Sequence, residues 1–502
     1  MRIQQFRKIL LSSLTVMATA AVLVFILKLY LSPEPMSQYW PEELTRRFSP
    51  RFDLTPFDPD TAPSASLEKL FQSTEDAPRP NIVLILARDV GYGDLGCYGN
   101  PIIPTPALDR MAADGLRWTG MYAANSSPSP ARASLFTGRY AHRTGVTFTL
   151  YPGEAPQSLQ QILRNMEQAI AKIGALDHPN DLSILTGLPQ SEITLARALK
   201  QSGYQTALFG DWELGDFAAN PEFHPRSHGF DSFAGFNVEA GDWPRAYWND
   251  DQPIQKKLAE DDTPDTTHFV DQASAFIRNR DAQAPFFLVL SPPMAAHGDG
   301  ANTAAGAHGQ ALQQLDSAVG RILDLLETQQ LAENTLVLFT SAAGPATDGR
   351  TAPFRSAPGM GFEGGFRVPF LAWWPDTLPA NGLVQGAASH LDLFPTLLQL
   401  AGLSLPTDRI IDGQTLSAIA GADTAPQDTT PLFLFHGNAL LGLRLGEDKY
   451  LREPVPALFN VVRDPWEAYN LIQNKSDAAQ KLEDQLSQWE SALYENSRGW
   501  RQ

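Results

Sequence analysis

The sequence is poor in cysteine and in basic side chains. Its 502 residues include a single cysteine, Cys97, which cannot form a disulfide within the chain, so the cysteine count does not report the redox compartment. Lysine and arginine number 38 against 56 aspartates and glutamates, and the net charge of −18 would repel a phosphate backbone. The sequence has no internal repeat, and its 43% hydrophobic content is typical of a globular protein. We therefore expect no nucleic-acid partner and a large α/β domain with a smaller appendage.

The amino terminus carries a long stretch without charge, Ile9–Leu27, which is long enough to cross a bilayer. Three basic residues among the first eight precede it, and the positive-inside rule then keeps the terminus in the cytoplasm. Residues 18–20 resemble a signal-peptide cleavage site, so a cleaved signal peptide is the alternative. Because the apolar run continues past that point, we expect an uncleaved single-pass anchor at residues 1–31. It would place the chain in the inner membrane, with its bulk periplasmic or extracellular.

Three segments after the anchor differ in character. Residues 32–78 are rich in proline, serine and acidic side chains and are predicted to form an extended linker. In residues 79–404 apolar strands alternate with helices, which predicts an α/β domain with a mostly parallel sheet flanked by helices. Residues 405–502 are predicted to form a small α+β subdomain. The predicted strands are 82–87, 116–123, 206–210, 285–290, 334–340, 431–435, 439–445 and 449–451, and the predicted helices are 105–115, 127–140, 159–173, 192–203, 267–278, 312–329 and 478–494.

The strand at 82–87 is a continuous apolar run that ends in a polar, glycine-rich loop, Arg88–Asp94. In open α/β sheets ligands bind at that end of a strand. At this loop and at later segments the chain resembles the sulfatase family, within the alkaline-phosphatase-like superfamily. The resemblance covers roughly residues 79–489 and implies the family fold. The matching segments are 93–100, 132–146, 192–206, 363–369, 373–375, 390–396 and 457–471.

The family's nucleophile is a formylglycine made from the cysteine or serine that opens a Cys/Ser-x-Pro-x-Arg motif. Pro130 and Arg132 match this motif, which puts Pro128 at the nucleophile position. Proline has no heteroatom to oxidise and none to attack with. Ser127 and Ser129 flank it, but a shift of one residue at a helix start turns a side chain by about 100°. The resemblance therefore implies that the catalytic position is vestigial, although Arg132 is retained.

The family binds calcium through two aspartates after the first strand and an Asp-Asn pair after a later strand. The corresponding positions here are Arg88, Asp89, Ala342 and Ala343. Calcium takes six or more oxygen ligands, several of them from carboxylates, and only Asp89 supplies one at these positions. We therefore expect no calcium and no other cofactor. Arg88 either fills the place of the ion and pairs with Asp89 or points to solvent.

The other catalytic positions of the family are also changed. Asp211 stands where the family has a sulfate-binding lysine, and Glu213 stands where it has a catalytic histidine. Ala296 aligns with a further histidine, with His297 one place on, and Pro358 aligns with a second sulfate-binding lysine. Two carboxylates near the sulfate position would repel a sulfate group.

Loss of the reactive groups on a retained scaffold favours a catalytically degenerate sulfatase-like protein. We expect it to act as a binding or structural subunit of a membrane complex, with an integral-membrane protein as partner. One alternative is a sulfuric or phosphoric ester hydrolase with a non-standard nucleophile, and another is a sulfated-glycan-binding module. The carboxylates of Asp89, Asp211 and Glu213 either form a new site or are neutralised by Arg88 and Arg132 in a structural network.

Overall fold

A computed structural model of the chain describes residues 79–150, 187–237, 245–258, 265–294, 306–345, 349–355, 359–420, 429–453 and 455–501. Within these ranges no helix combines the length and apolar character needed to cross a membrane. Several sequence predictions lie outside the described residues: the anchor at 1–31, the linker at 32–78, the helix at 159–173 and the site positions Ala296, His297 and Pro358.

The described residues form strands and helices that alternate along the first three quarters of the chain. The strands are β1 (Asn81–Ala87), β2 (Leu116–Trp118), β3 (Met121–Tyr122), β4 (Gln205–Asp211), β5 (Ser232–Phe236), β6 (Arg245–Asn249), β7 (Gln252–Leu258), β8 (Phe286–Ser291), β9 (Thr335–Ser341), β10 (Phe370–Trp373), β11 (Gly382–Val384), β12 (Ala388–Ser389), β13 (Leu432–His436), β14 (Ala439–Leu445), β15 (Asp448–Leu451) and β16 (Ala457–Asn460). The helices are α1 (Pro106–Ala113), α2 (Pro128–Thr137), α3 (Ala141–Thr144), α4 (Leu195–Gln201), α5 (Thr266–Asn279), α6 (Gly306–Thr328), α7 (Leu393–Leu400), α8 (Ser417–Ala420) and α9 (Ser476–Glu495).

A ten-stranded sheet in the order β11-β2-β10-β9-β1-β8-β4-β5-β6-β7 forms the centre of the fold. Its middle strands, from β9 to β5, run parallel to one another, whereas β10, β6 and β7 are antiparallel to their neighbours. The even-numbered residues from Ile82 to Leu86 pack with α2, α4 and α7. The odd-numbered residues from Val83 to Ala87 pack with α1, α5 and α6 on the other face. The predicted α/β class, a mostly parallel sheet covered by helices, is confirmed.

The predicted strand 116–123 is wrong as one element, because the chain bends at Thr119–Gly120 and forms β2 and β3 in different sheets. A Cβ at Gly120 would lie 1.9 Å from the carbonyl oxygen of Gly386, so only glycine permits this close approach. The predicted helix 127–140 is too long, since Gly138 takes a left-handed conformation with φ of 67° and caps α2. The sequence does not predict the strands β5 to β7, β10 to β12 and β16 or the helices α3, α7 and α8.

The carboxyl-terminal sheet has the order β13-β14-β15-β16, with every neighbouring pair antiparallel. Together with α9 it confirms the predicted small α+β subdomain. Buried charges join this sheet to the α/β domain. Lys449 Nζ on β15 lies 2.9 Å from Glu363 Oε1 and 3.0 Å from Glu467 Oε1, and all three side chains are fully buried. Arg367 Nε also lies 2.6 Å from Glu363 Oε2.

Candidate functional site

The candidate site lies at the carboxyl ends of β1 and β4, which run parallel on either side of β8. Arg88 and Asp89 directly follow β1, Asp211 is the last residue of β4, and Glu213 follows two positions later. Parallel strands end at the same edge of a sheet. The two side chains after β1 therefore meet the two at the end of β4, although the two pairs are more than 120 positions apart in the sequence.

Arg88 contacts three carboxylates. Its Nε atom lies 3.3 Å from Asp89 Oδ2, and its Nη1 atom lies 3.4 Å from Glu213 Oε1 and 3.9 Å from Asp211 Oδ2. The side chain is 13% exposed. Of the two orientations that the sequence left open, the structure shows Arg88 paired with Asp89 and turned into the protein.

Arg132 approaches the same carboxylates from α2 and is completely buried. Its Nε atom lies 3.3 Å from Glu213 Oε2. Its Nη1 group donates hydrogen bonds to the backbone oxygen of Asp211 at 2.9 Å and to Ser291 Oγ at 3.1 Å. The carboxylate of Glu213 therefore lies between two guanidinium groups. We call Arg88, Asp89, Arg132, Asp211 and Glu213 the ion cluster.

The ion cluster is held by an unusual backbone. Asp89 has a φ of 55° and Glu213 a φ of 59°, in the left-handed region that side chains other than glycine seldom enter. Each such residue costs on the order of 1–3 kcal/mol and persists where the surroundings fix it. Around Glu213 the backbone is fixed by two hydrogen bonds, from Trp212 N to Phe236 O at 2.9 Å and from Glu213 N to Asn237 O at 3.0 Å. Backbone hydrogen bonds to the segment at the end of β5 thus set the orientation of the loop that carries Glu213.

The nucleophile position is the first residue of α2. Pro128 and Pro130 have no backbone N–H, so Ser129 alone offers one among the first three helical residues, which weakens this helix end as an anion site. The Ser129 side chain is fully buried, and its Oγ atom accepts a hydrogen bond from Leu150 N at 3.0 Å. Its hydroxyl group therefore has a structural role.

A serine–histidine contact beside this helix was missed in the sequence. Ser126 Oγ lies 3.0 Å from His436 Nδ1, and Ser127 Oγ lies 3.4 Å from the same nitrogen. His436 is the last residue of β13 and is exposed. Gly437 N donates to Ser127 Oγ at 3.1 Å and to Asn125 Oδ1 at 3.0 Å, which fixes the two loops against each other. The partners are 310 positions apart, so no local pattern could have paired them.

The donor set at the family's calcium position does not fit calcium. Ala342 and Ala343 follow β9 at the same edge of the sheet, and Ala342 N donates to the carbonyl oxygen of Ala87 at 2.9 Å. Their side chains supply no oxygen, and the guanidinium of Arg88 lies against Asp89. Among the described residues no group of three or more histidine, cysteine, aspartate or glutamate side chains could hold a metal ion.

Comparisons of the sequence with known proteins identify relatives in the sulfatase family. The family model described as Sulfatase matches residues 80–403. The N-acetylgalactosamine-6-sulfatase of Canis lupus familiaris is 35% identical over 404 residues, which cover 74% of this chain and 72% of the relative. Arylsulfatase A of Homo sapiens is 32% identical over 491 residues, which cover 85% of this chain and 90% of the relative.

Two solved structures show the same fold. A sulfatase from Pseudoalteromonas sp. superposes with a TM-score of 0.67 at 23% identity, covering 83% of this chain and 90% of the other. The phosphonate monoester hydrolase of Agrobacterium radiobacter gives a TM-score of 0.55 at 19% identity, covering 83% of this chain and 96% of the other. With a family model that spans most of the chain and relatives above 30% identity, the protein belongs to the sulfatase family.

Proposed function

We propose that this chain is a catalytically degenerate sulfatase-family protein that binds a partner and does not hydrolyse sulfate esters. The observation that carries the proposal is the ion cluster. Asp211 and Glu213 stand at positions where the family has a sulfate-binding lysine and a catalytic histidine, and both contact Arg88. A sulfate group entering there would meet buried carboxylates, and Pro128 offers it no nucleophile.

The proposal also includes the subcellular location of the protein. Ile9–Leu27 would anchor the chain in the inner membrane, with the body outside the cytoplasm, and the protein would serve as a binding or structural subunit beside an integral-membrane protein. The support is in the sequence: an uncharged stretch of spanning length follows a basic amino terminus. A catalyst for soluble substrates needs only export, whereas a retained helix keeps the body near a membrane partner.

The decisive experiment is an activity assay on the purified full-length protein with an aryl sulfate and added calcium. We expect no turnover above background, and we expect mass spectrometry of the peptide around Pro128 to find no formylglycine. The Arg132→Ala variant is the control for contamination. Turnover that this variant abolishes would overturn the proposal, since it would show that the site on α2 is still catalytic.

Calcium binding gives a second test with a readout besides activity. A site of micromolar affinity would stabilise the fold by about 2.7 kcal/mol at a hundredfold excess of calcium over its Kd. Because Arg88 replaces one ligand and two alanines replace others, we expect calcium not to raise the melting temperature above that in EDTA. A clear rise would mean that other oxygen ligands have rebuilt the site.

The contact of Ser126 and Ser127 with His436 favours a second candidate function, an ester hydrolase with a non-standard nucleophile. A histidine within hydrogen-bond reach of a hydroxyl group is the arrangement that activates a serine. The test compares Ser126→Ala, Ser127→Ala and His436→Gln on sulfate and phosphate monoesters, with Ser129→Ala as the control because its hydroxyl bonds to Leu150. Activity lost in the first three variants and kept in the control would establish this function and replace the binding proposal.

The third candidate, a sulfated-glycan-binding module, has less support. A sulfate needs cations that are available to it. In the described part of the site both guanidinium groups already face carboxylates, Arg88 with Asp89 and Arg132 with Glu213.

A further inference from the structure

The carboxyl-terminal subdomain and the loop that borders it carry a group of strongly exposed apolar side chains. We call this group the aromatic patch. Trp466 is 55% exposed and Tyr469 is 74% exposed, although large aromatic side chains are generally buried. The patch consists of Met360, Val455, Val462, Trp466 and Tyr469, each at least half exposed.

The loops that carry the patch adjoin one another. The loop with Tyr469 contacts the segment with Val455, because Asn470 Nδ2 donates to Pro456 O at 3.4 Å and Leu458 N donates to Asn470 Oδ1 at 3.0 Å. The segment after β15 also passes beside the loop with Met360, where a Cβ at Gly361 would lie 3.7 Å from the backbone oxygen of Glu453. The exposed side chains thus belong to neighbouring loops.

The loop with Trp466 is fixed to the same border. Arg355 Nη1 donates to Glu467 O at 3.1 Å, and Glu363 N donates to Glu467 Oε2 at 2.7 Å. Glu467 also lies 3.0 Å from the buried amino group of Lys449. Trp466 is therefore presented from a loop that a buried ion network holds in place, so its exposure is not that of a fraying end.

We propose that the aromatic patch lies in the headgroup region of a lipid bilayer. Tryptophan and tyrosine are the side chains enriched at that depth, and valine and methionine suit the acyl chains below it. Arg463, exposed beside Val462, can reach lipid phosphates with its charged end. The inference rests on the proposed anchor, because Ile9–Leu27 would keep the body within reach of a membrane. The net charge of −18 indicates an apolar contact rather than attraction to anionic lipid.

The experiment uses the full-length protein reconstituted into phosphatidylcholine vesicles with and without brominated acyl chains, which quench nearby tryptophans. We expect the bromolipid-dependent loss of emission to be smaller in Trp466→Phe than in the wild type. The matched control adds Ile254→Trp to the Trp466→Phe chain. Ile254 is 60% exposed and lies on β7, one edge strand of the large sheet, whereas β11 and β2 lie at the other edge. We expect lipid not to quench a tryptophan at position 254.

Each outcome decides something. A chain that does not float with the vesicles contradicts both the anchor and the patch. A chain that floats, but whose quenching is the same with and without Trp466, contradicts the patch alone. Equal quenching at positions 466 and 254 also overturns the proposal, because it shows unspecific contact with lipid.

Discussion

At the scale of the residue, Arg88 supplies a cation to the ion cluster. A guanidinium group is part of the polypeptide, so its charge is present in every folded molecule, whereas a bound metal ion exchanges. Here the group lies within 3.4 Å of carboxylate oxygens of Asp89 and Glu213. The ion cluster therefore contains its own cations, Arg88 and Arg132, beside its three carboxylates.

Replacing Arg88 tests how much the ion cluster contributes to stability. Arg88→Gln leaves Asp211 and Glu213 buried with Arg132 as the remaining cation, and removal of one partner from a buried ion pair costs about 3–5 kcal/mol. We expect a loss at the lower end of that range in the free energy of unfolding measured in urea. Arg110→Gln is the control, because Arg110 pairs with Asp324 and Glu327 at the surface, where such pairs contribute below about 1 kcal/mol. Equal small losses in both variants would show that the cluster is solvated.

His142 predicts a pH dependence of stability. Burial lowers the pKa of His142 to about 4, while its Nε2 atom lies 3.0 Å from Asn438 O. In the unfolded chain this histidine takes up a proton near pH 6.5, and in the folded chain only near pH 4. The contribution of neutral His142 to the free energy of unfolding is therefore complete above pH 6.5. It decreases by about 3 kcal/mol as the pH falls to 4.

The measurement is the urea midpoint between pH 7 and pH 4 for the wild type and for His142→Gln. The variant cannot take up this proton, so we expect its stability to fall less steeply over the range. Parallel curves for the two proteins would contradict the prediction.

At the scale of elements, the docking of β13–β16 depends on Lys449. Burial alone would raise the pKa of Glu363, but the cations of Lys449, Arg367 and Arg444 hold it well below its usual range. Burial raises the pKa of Glu467, and Lys449 opposes that effect. The amino group on β15 therefore favours the charged form of two buried carboxylates at the junction between the sheets.

Lys449→Met leaves Glu467 buried without this cation, and we expect a loss of about 3–5 kcal/mol. Amide hydrogen exchange should become faster in β13–β16 and remain slow in β1 and β9. Lys475→Met is the control, since Lys475 is 44% exposed where it pairs with Asp448 of β15, and it should change little. The double variant Lys449→Met, Glu467→Gln should recover part of the lost stability. If it recovers none, the broken pair of Lys449 and Glu467 is not the cause of the loss.

At the scale of the whole molecule, the proposed anchor would govern where the protein is found. We expect the full-length chain to remain with membranes after an alkaline carbonate wash and to migrate in detergent as part of a larger assembly. The control is Val24→Arg, which places a charge inside Ile9–Leu27 and should release part of the protein, because a charge in a spanning helix costs about 2.5–3.5 kcal/mol. A mature protein that begins near Ala21 and runs as a soluble monomer would contradict the membrane-subunit proposal.

The sequence by itself determined the class of the fold, and it predicts which positions of the family site have changed. The apolar run of β1 predicts a strand buried on both faces, because burial leaves its pattern in adjacent residues. Motif spacing alone predicts that Pro128 and Ala342 stand at altered site positions, since proline and alanine lack the required side-chain atoms wherever they lie.

Only the tertiary structure decided what the changed residues do. The sequence left two orientations of the Arg88 side chain open. Its contact with Glu213 depends on β1 and β4 ending at one edge of the sheet. The bend at Gly120 depends on the carbonyl of Gly386, and the contact of Ser126 with His436 joins residues 310 positions apart. Such contacts are set by strand order and register, which the short-range periodicity of a sequence does not encode.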